Sequence, residues 1–279
     1  AFWNLLMPVD NVLKLYSETI RSSFLHYGFW DNPSAISLDS LTLNDLKNAQ
    51  LRYAEHLCSY IPSDVDSILD VGCGIGGNAE YLLSKGFEVE ALSPDNYQKK
   101  VISDKFNKKM IFHHTKFENY NTKKKYDLVF ESESACYIKI DEGFKKAKNI
   151  LNEEGYLLVS DYFVHFRDES KSPHFKSSHD MNNYLESAKK NGFDLVKQYD
   201  QTDNTMPTLE YADYFLERFI KPSLDYGFYS AKKKYPTISK MIEKMIGSKW
   251  DKKKEQLDLI DSEKFKKYRK YMIYLFKKI

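Results

Sequence analysis

Cysteine is scarce. Cys58, Cys73 and Cys136 are the only three in 279 residues. So odd and sparse a count closes no disulfide framework and suits a reducing compartment, so the expected location is cytoplasmic. No Cys/His cluster has the spacing of a zinc site, which excludes a structural zinc module, and no metal is expected. No apolar run approaches the roughly 20 residues that span a bilayer, so no transmembrane segment is expected. Ala1–Leu6 is apolar but lacks the basic leader of a secretory signal, and Met7 is a candidate natural start. Net charge is also small, at +2. Its distribution is uneven. Residues 231–279 carry 16 Lys+Arg against 6 Asp+Glu, a net of +10, and the remainder carries −8. A basic segment fits an anionic partner such as a phosphorylated small molecule, an anionic lipid surface or nucleic acid; the plain alternative is a solvated Lys-rich helix face.

What is present is globular. Hydrophobic residues make up 42% and charged residues 29%, enough to build a core. The middle of the chain alternates two periodicities. Short apolar runs predict strands at 68–71, 87–92, 109–113, 126–130, 155–160 and 193–199. Helices are predicted at 79–84, from Pro94 onward, at 141–151 and at 181–190. Strands spaced by single helices indicate a parallel sheet with helices on both faces. Before them, residues 8–60 read as helical, interrupted between Tyr27 and Leu41 by a loop rich in turn formers (Trp30-Asp31-Asn32-Pro33-Ser34), with Thr42-Leu43-Asn44-Asp45 as a helix start. After Asp200 the strand-like alternation stops. Leu209, Phe215, Phe219 and Ile220, then Ile238, Met241, Ile242 and Met245, recur at helical spacing until a last apolar run at 271–276. The expected fold is α/β, a Rossmann-like, seven-stranded, mostly parallel sheet. We divide the single domain (1–279) into an N-terminal helical lid (8–60), a cofactor-binding core (61–200), a helical substrate cap (201–267) and a final strand (268–279).

The stretch richest in chemistry is Ile68 to Gly77, I-L-D-V-G-C-G-I-G-G. Four glycines in six positions after a strand are conformationally costly unless a ligand or a close backbone approach needs the space. In an open parallel sheet, ligands sit at the carboxyl ends of the strands. The phase also differs from the dinucleotide fingerprint, with an acid two residues before the first glycine.

This stretch closely resembles the first motif of class I S-adenosylmethionine-dependent methyltransferases, and the resemblance runs from Tyr16 to about Tyr199. The group it looks like holds the tocopherol, sterol, phosphoethanolamine and geranyl diphosphate methyltransferases, with cyclopropane fatty-acid synthases as cousins. His26-Tyr27-Gly28-Phe29-Trp30-Asp31 resembles the segment that lids the cofactor there. Ala49-Gln50 resembles the A-Q that opens the core. Leu92-Ser93-Pro94 with Gln98 resembles the segment after the second strand. Phe117-Glu118 resembles the pair beside the adenine, and Glu131 to Tyr137 (E-S-E-S-A-C-Y) resembles the end of the fourth strand.

The resemblance implies S-adenosylmethionine as cofactor, leaving as S-adenosylhomocysteine, and these roles follow from it. Loop amides at Gly72, Cys73 and Gly74 would hold the cofactor carboxylate. Asp70 would orient the loop or accept from the ammonium. Ser132 would offer its carbonyl there. Leu92, Ser93 and Gln98 would line the ribose side. Phe117 would cover the adenine, Glu118 would accept from it or brace the loop, and Tyr27 would close over the methionine part. Each has a plainer alternative: Phe117 as core, Tyr27 as packing, Glu118 as a surface acid. One departure concerns the ribose. The acid that many relatives carry at the end of the second strand is Ala91 here, and Glu90 should face the other way.

On the acceptor side the resemblance points to Glu133, whose counterpart stabilises a carbocation or takes a proton after carbon methylation. Tyr137 and Tyr27 would share that pocket as catalytic candidates, and His165 is a weaker base candidate. Cys136 stands where cyclopropane synthases carry a glutamate, which argues against cyclopropanation. Neither a Pro-Cys nucleophile nor an Asn-Pro-Pro-Tyr type motif is present, so nucleic-acid methylation is disfavoured. The cap aromatics Tyr211, Tyr214, Phe215, Phe219, Tyr226, Phe228 and Tyr229 would enclose an apolar chain or simply form a helical core. The resulting expectation is a methyltransferase of a small-molecule or lipid-like acceptor, with an anionic head group and peripheral membrane contact allowed. Carbon methylation of an isoprenoid-like substrate is slightly favoured over N- or O-methylation. A nucleic-acid or protein methyltransferase and a non-catalytic cofactor-binding protein are the competing readings.

Overall fold

The computed structural model describes residues 18, 20–107, 109–165, 178–236 and 261–279. Seven strands form one sheet: β1 (Ser67–Val71), β2 (Glu88–Leu92), β3 (Ile111–His113), β4 (Tyr126–Ser132), β5 (Leu151–Val164), β6 (Phe193–Asp200) and β7 (Arg269–Lys278). Their order is β3-β2-β1-β4-β5-β7-β6. The first five pair in parallel, and β7 enters antiparallel between β5 and β6. Eight α-helices are described: α1 (Leu43–Cys58), α2 (Gly77–Ser84), α3 (Asn96–Phe106), α4 (Ile140–Ile150), α5 (Met181–Lys190), α6 (Thr202–Phe215), α7 (Lys221–Lys234) and α8 (Ser262–Tyr268).

Alternate residues of each strand feed opposite layers. Ile68, Ala91, Leu128, Phe130, Leu158 and Tyr271 meet Tyr53 and Leu57 of α1, Ala79 and Leu82 of α2 and Met206 of α6. Leu69, Val71, Val129, Leu157, Val159 and Tyr274 meet Phe144 and Ala147 of α4 and Tyr184 of α5. The inner strands are apolar on both sides because both faces are covered, while the edge strands β3 and β6 stay largely open to solvent.

Several expected elements change at their ends. The helix expected at Thr42 starts there. The Thr42 side chain accepts from Asp45 N, and the Asp45 carboxylate accepts from Thr42 N, so two end amides are satisfied at once. Pro94 does not open α3. Asp95 caps it, its side chain accepting from Gln98 N at 2.8 Å, so Pro94 lies just outside. β3, at the sheet edge, keeps only 111–113 of the expected 109–113. β5 grows from the expected 155–160 to Leu151–Val164 because β4 and β7 pair along both of its edges. Between Tyr27 and Leu41 the expected loop is present, broken only by two short turns of helix, whereas residues 21–26 lack the expected helix. In the cap region, α6 runs through a wide turn at Leu216–Ile220 into α7, and α8 leads into β7. Ile238, Met241, Ile242 and Met245, and residues 1–17, lie outside the described residues. No described helix is long and apolar enough to cross a membrane.

Candidate active site

The site forms where β1, β2, β4 and β5 end. At the end of β1, Asp70 is 1% exposed, and its Oδ2 has no hydrogen-bond partner. Burial pushes its carboxyl up to about 7. The glycine turn follows, with Gly72, Gly74 and Gly76 all at positive φ. The Gly72 and Cys73 amides bind the Leu92 carbonyl at 2.9 and 3.3 Å. This corrects one expectation: those two amides tie β1 to β2 and are not turned toward a ligand. Gly72 is also required by packing, since a Cβ there would lie 2.4 Å from Ser134 Cβ. Ser134 itself donates to the Val71 carbonyl at 2.6 Å, pinning the turn after β4 to the turn after β1.

Past β2, Ser93 is buried and its Oγ accepts from Asp95 N. Gln98 follows on α3, and its Oε1 is buried without a partner. Ala91 shares the layer of Ile68, as expected, while Glu90 faces the other way. There it accepts from Lys124 Nζ at 2.7 Å and Tyr126 OH at 2.8 Å and pairs with His113 at 2.6 Å. It is fully used in holding β2, β3 and β4 together. Phe117 is 2% exposed and packs with Leu69, Val71 and Leu92. Glu118 accepts from Lys139 N at 3.4 Å.

Residues 22–30 run as a strap over the strand ends. The Gln50 side chain holds it, taking a hydrogen bond from Ser22 Oγ at 2.6 Å and donating to the His26 carbonyl at 2.7 Å. Gly28 lies so close to Ala49 that a Cβ would come within 2.5 Å of Ala49 Cβ. The Ala49-Gln50 pair thus serves the strap. Gly28 N donates to Thr208 Oγ1 of α6 at 3.0 Å and Trp30 N to the Asn204 carbonyl at 2.9 Å, so the cap grips the other end. Tyr27 N donates to Glu133 Oε1 at 2.8 Å.

Glu133 follows β4 directly, with φ at 51°. Such a backbone is uncommon for a bulky side chain and is retained here by Glu133 N donating to the Ser160 carbonyl at 2.8 Å. Oε1 also accepts from Tyr271 OH of β7. Oε2 bonds to no described residue. Burial raises the carboxyl to about 7 against the lowering by the Tyr271 and Tyr27 bonds. Ser132 Oγ lies 3.4 Å from Tyr53 OH. Tyr137 is 69% exposed as a residue, yet burial of its hydroxyl and the nearby Asp161 and Glu133 charges raise its pKa, so it borders Glu133 from a more open position. His165 Nε2 donates to the Lys266 carbonyl at 3.2 Å on the surface and is not among Glu133's hydrogen-bond partners. The residue composition alone did not single out Tyr53, Ser160, Gln201 and Tyr271. Their signal, polar groups at inward strand and helix positions, becomes legible only once the pairing is known.

A family profile described as a methyltransferase domain matches residues 44–200. This chain belongs to the methyltransferase domain family. Methyltransferase GfsG of Streptomyces halstedii is 25% identical over 216 residues, covering 69% of this chain and 74% of that one. The tocopherol O-methyltransferase of Arabidopsis thaliana is 28% identical over 143 residues. That match covers 44% of this chain and two fifths (40%) of the plant protein. The crystal structure of geranyl diphosphate C-methyltransferase from Streptomyces coelicolor A3(2) superposes with a TM-score of 0.68 at 14% identity, covering 98% of each chain, a likeness of fold.

The methyltransferase uses S-adenosylmethionine, and the residues at the strand ends fit that cofactor. Two buried acceptor oxygens, Asp70 Oδ2 and Gln98 Oε1, have no donor among the described residues, whereas the cofactor carries ammonium and hydroxyl donors. Leaving such acceptors unmet costs about 1–3 kcal/mol each, so a ligand that supplies donors recovers energy at this place.

Proposed function

We propose that this methyltransferase transfers the methyl group of S-adenosylmethionine to a small apolar, isoprenoid-like acceptor, with Glu133 as the acceptor-side base. One observation carries the reading. Glu133 has one oxygen fixed by Tyr27 N and Tyr271 OH, and its second oxygen is bonded to no described residue. A carboxylate held in place by one oxygen and open at the other suits proton removal or stabilisation of a developing cation. Its carboxyl, near 7, changes charge close to working pH, as a base should.

When bound, the cofactor supplies an activated methyl group. The protein's part is alignment, which can lower the barrier substantially without further chemistry. Asp70 and Gln98 would hold the amino-acid and ribose portions. Phe117 and Glu118 would border the adenine, and Ser132 would offer its carbonyl to the ammonium. The strap would shield the methionine part through Tyr27. Glu133 would take the proton that the acceptor loses. The geranyl diphosphate C-methyltransferase superposes along nearly the whole chain, so the fold accommodates a carbon acceptor. The basic segment from 231 onward would suit an anionic head group. A second reading is O-methylation of a phenolic acceptor, favoured by the tocopherol O-methyltransferase relative; Glu133 would then remove the phenolic proton.

The test is purified protein with methyl-labelled cofactor, offered prenyl diphosphates, phenols and a metabolite extract. Label entering an organic-soluble product supports the reading, and the product's carbon or oxygen label separates its two forms. Label entering RNA or protein overturns it. Glu133→Gln should lower turnover about 10²–10⁴-fold with cofactor affinity unchanged.

A further inference from the structure

Behind Glu133 lies a row of hydroxyls that methyl transfer itself does not use. Tyr271 OH donates to Glu133 Oε1, and also lies 3.1 Å from Tyr53 OH in a geometry that lets it donate there instead. Tyr53 OH is 2.6 Å from Ser160 Oγ, and Gln201 Nε2 donates to the same Ser160 oxygen at 2.8 Å. Ser132 Oγ donates to Tyr53 OH from 3.4 Å. Tyr53, Ser160, Gln201 and Tyr271 are each no more than 1% exposed. They come from α1, β5, the β6–α6 junction and β7, so only the closed fold assembles the row.

A phenol has one proton. Tyr271 therefore faces two acceptors and can satisfy one at a time. An ionised carboxylate is the stronger acceptor, since charge-assisted hydrogen bonds are roughly twice as strong as neutral ones. Once Glu133 is protonated that advantage disappears. Tyr53 then becomes a competitive acceptor, because its own proton has somewhere to go, Ser160 Oγ. With both rings excluded from water, an unplaced hydroxyl proton would be costly.

We propose that Tyr271 is the positioning residue for Glu133 and Tyr53 its alternative acceptor, so that the single Tyr271 proton follows the charge on Glu133. It points to Glu133 while the carboxylate is ionised and to Tyr53 once Glu133 has taken a proton. The hydroxyl turns about its C–O bond, and no proton leaves Tyr271. In either state the Tyr271 proton and the Tyr53 proton each have an acceptor, and Tyr27 N keeps Glu133 in place throughout. This rests on the reading of Glu133 as the acceptor-side base. Among the described residues, the other groups that act on or surround Glu133 are Asp161 of β5, which raises its carboxyl, and Cys136 and Tyr137 of the turn after β4. None of these is altered by the test.

The test is an infrared or carbon NMR titration of Glu133 in the full chain, its signal assigned by loss in Glu133→Gln. Tyr271→Phe removes a donor to the carboxylate, so its midpoint should rise by about 1 pH unit. Tyr53→Phe removes the competing acceptor, so its midpoint should fall by a few tenths of a unit. Opposite signs in two ring-conserving variants are not expected of a merely structural role. A midpoint unmoved by Tyr271→Phe, or shifts of the same sign in both variants, overturns the proposal. If Tyr271→Phe fails to fold, Tyr53→Phe decides by its sign alone. The titration needs no acceptor, so it stands apart from the assay of Glu133 in turnover.

Discussion

A carboxylate oxygen that no donor reaches is expensive to bury. Asp70 carries that cost at the end of β1, and burial alone raises its carboxyl to about 7. The same group that burdens the fold is the one a cationic ligand would reward. Asp70→Asn keeps the shape and removes the charge. It should raise the thermal midpoint of the ligand-free protein at pH 8 and weaken S-adenosylhomocysteine binding tenfold or more by calorimetry, a trade of stability against function. Unchanged affinity would remove Asp70 from the cofactor site. Glu133 differs from Asp70 in having two donors on one oxygen, which is why it can be poised as a base and not simply buried.

At the scale of elements, the glycine turn is shaped by two separate demands. Gly72 has φ at 73° and no room for a Cβ, because Ser134 closes over it at 2.4 Å. Gly86 has φ at 94° with nothing within 4 Å of a built Cβ. Gly86→Ala should therefore cost only the backbone strain, about 1–2 kcal/mol. Gly72→Ala should cost that and an overpacking penalty of about 1–3 kcal/mol more. Denaturant unfolding of both variants measures the difference, and equal losses would mean that Ser134 yields freely. The cap of α1 gives a smaller effect: Thr42→Ala should cost about 1 kcal/mol, since the Thr42–Asp45 exchange satisfies two end amides.

Across the whole molecule, the ligand-free fold holds several carboxyls above their ordinary range. Burial puts Asp161 at about 6, Asp70 and Glu133 at about 7 and Glu131 at about 8. A folded-state value above the unfolded one means that the folded chain binds more protons, so stability is present at low pH and is lost as pH rises through the folded value. His26 acts in the opposite sense. Burial lowers it to about 4, so its contribution is lost as pH falls from about 6.5. Above pH 6.5 the carboxyls dominate. The unfolding free energy of the ligand-free protein should fall between pH 6.5 and 8.5, by about 1.4 kcal/mol per pH unit for each group still protonated. A flat or rising profile in that window would contradict the assigned burial. Saturating S-adenosylhomocysteine should flatten the slope by the part that belongs to Asp70.

The strand-and-helix core with its glycine turn was legible in the residues because its signals are local. A period of two in strands, a capping pair at Thr42 and Asp45, four glycines after β1 and the misplaced acid at Glu90 each depend on neighbours within a few positions. Even there, the role of the Gly72 and Cys73 amides was not legible, since the Leu92 carbonyl that engages them arrives from another strand. Tertiary structure alone decided the acceptor side. Tyr271 reaches Glu133 across 138 positions and Tyr53 across 218, because β7 enters between β5 and β6 and brings Tyr271, near its start, to the end of β4. Periodicity can say that a residue faces inward. It cannot say what it will meet there, since contacts that far apart in the chain are set by how the strands are ordered.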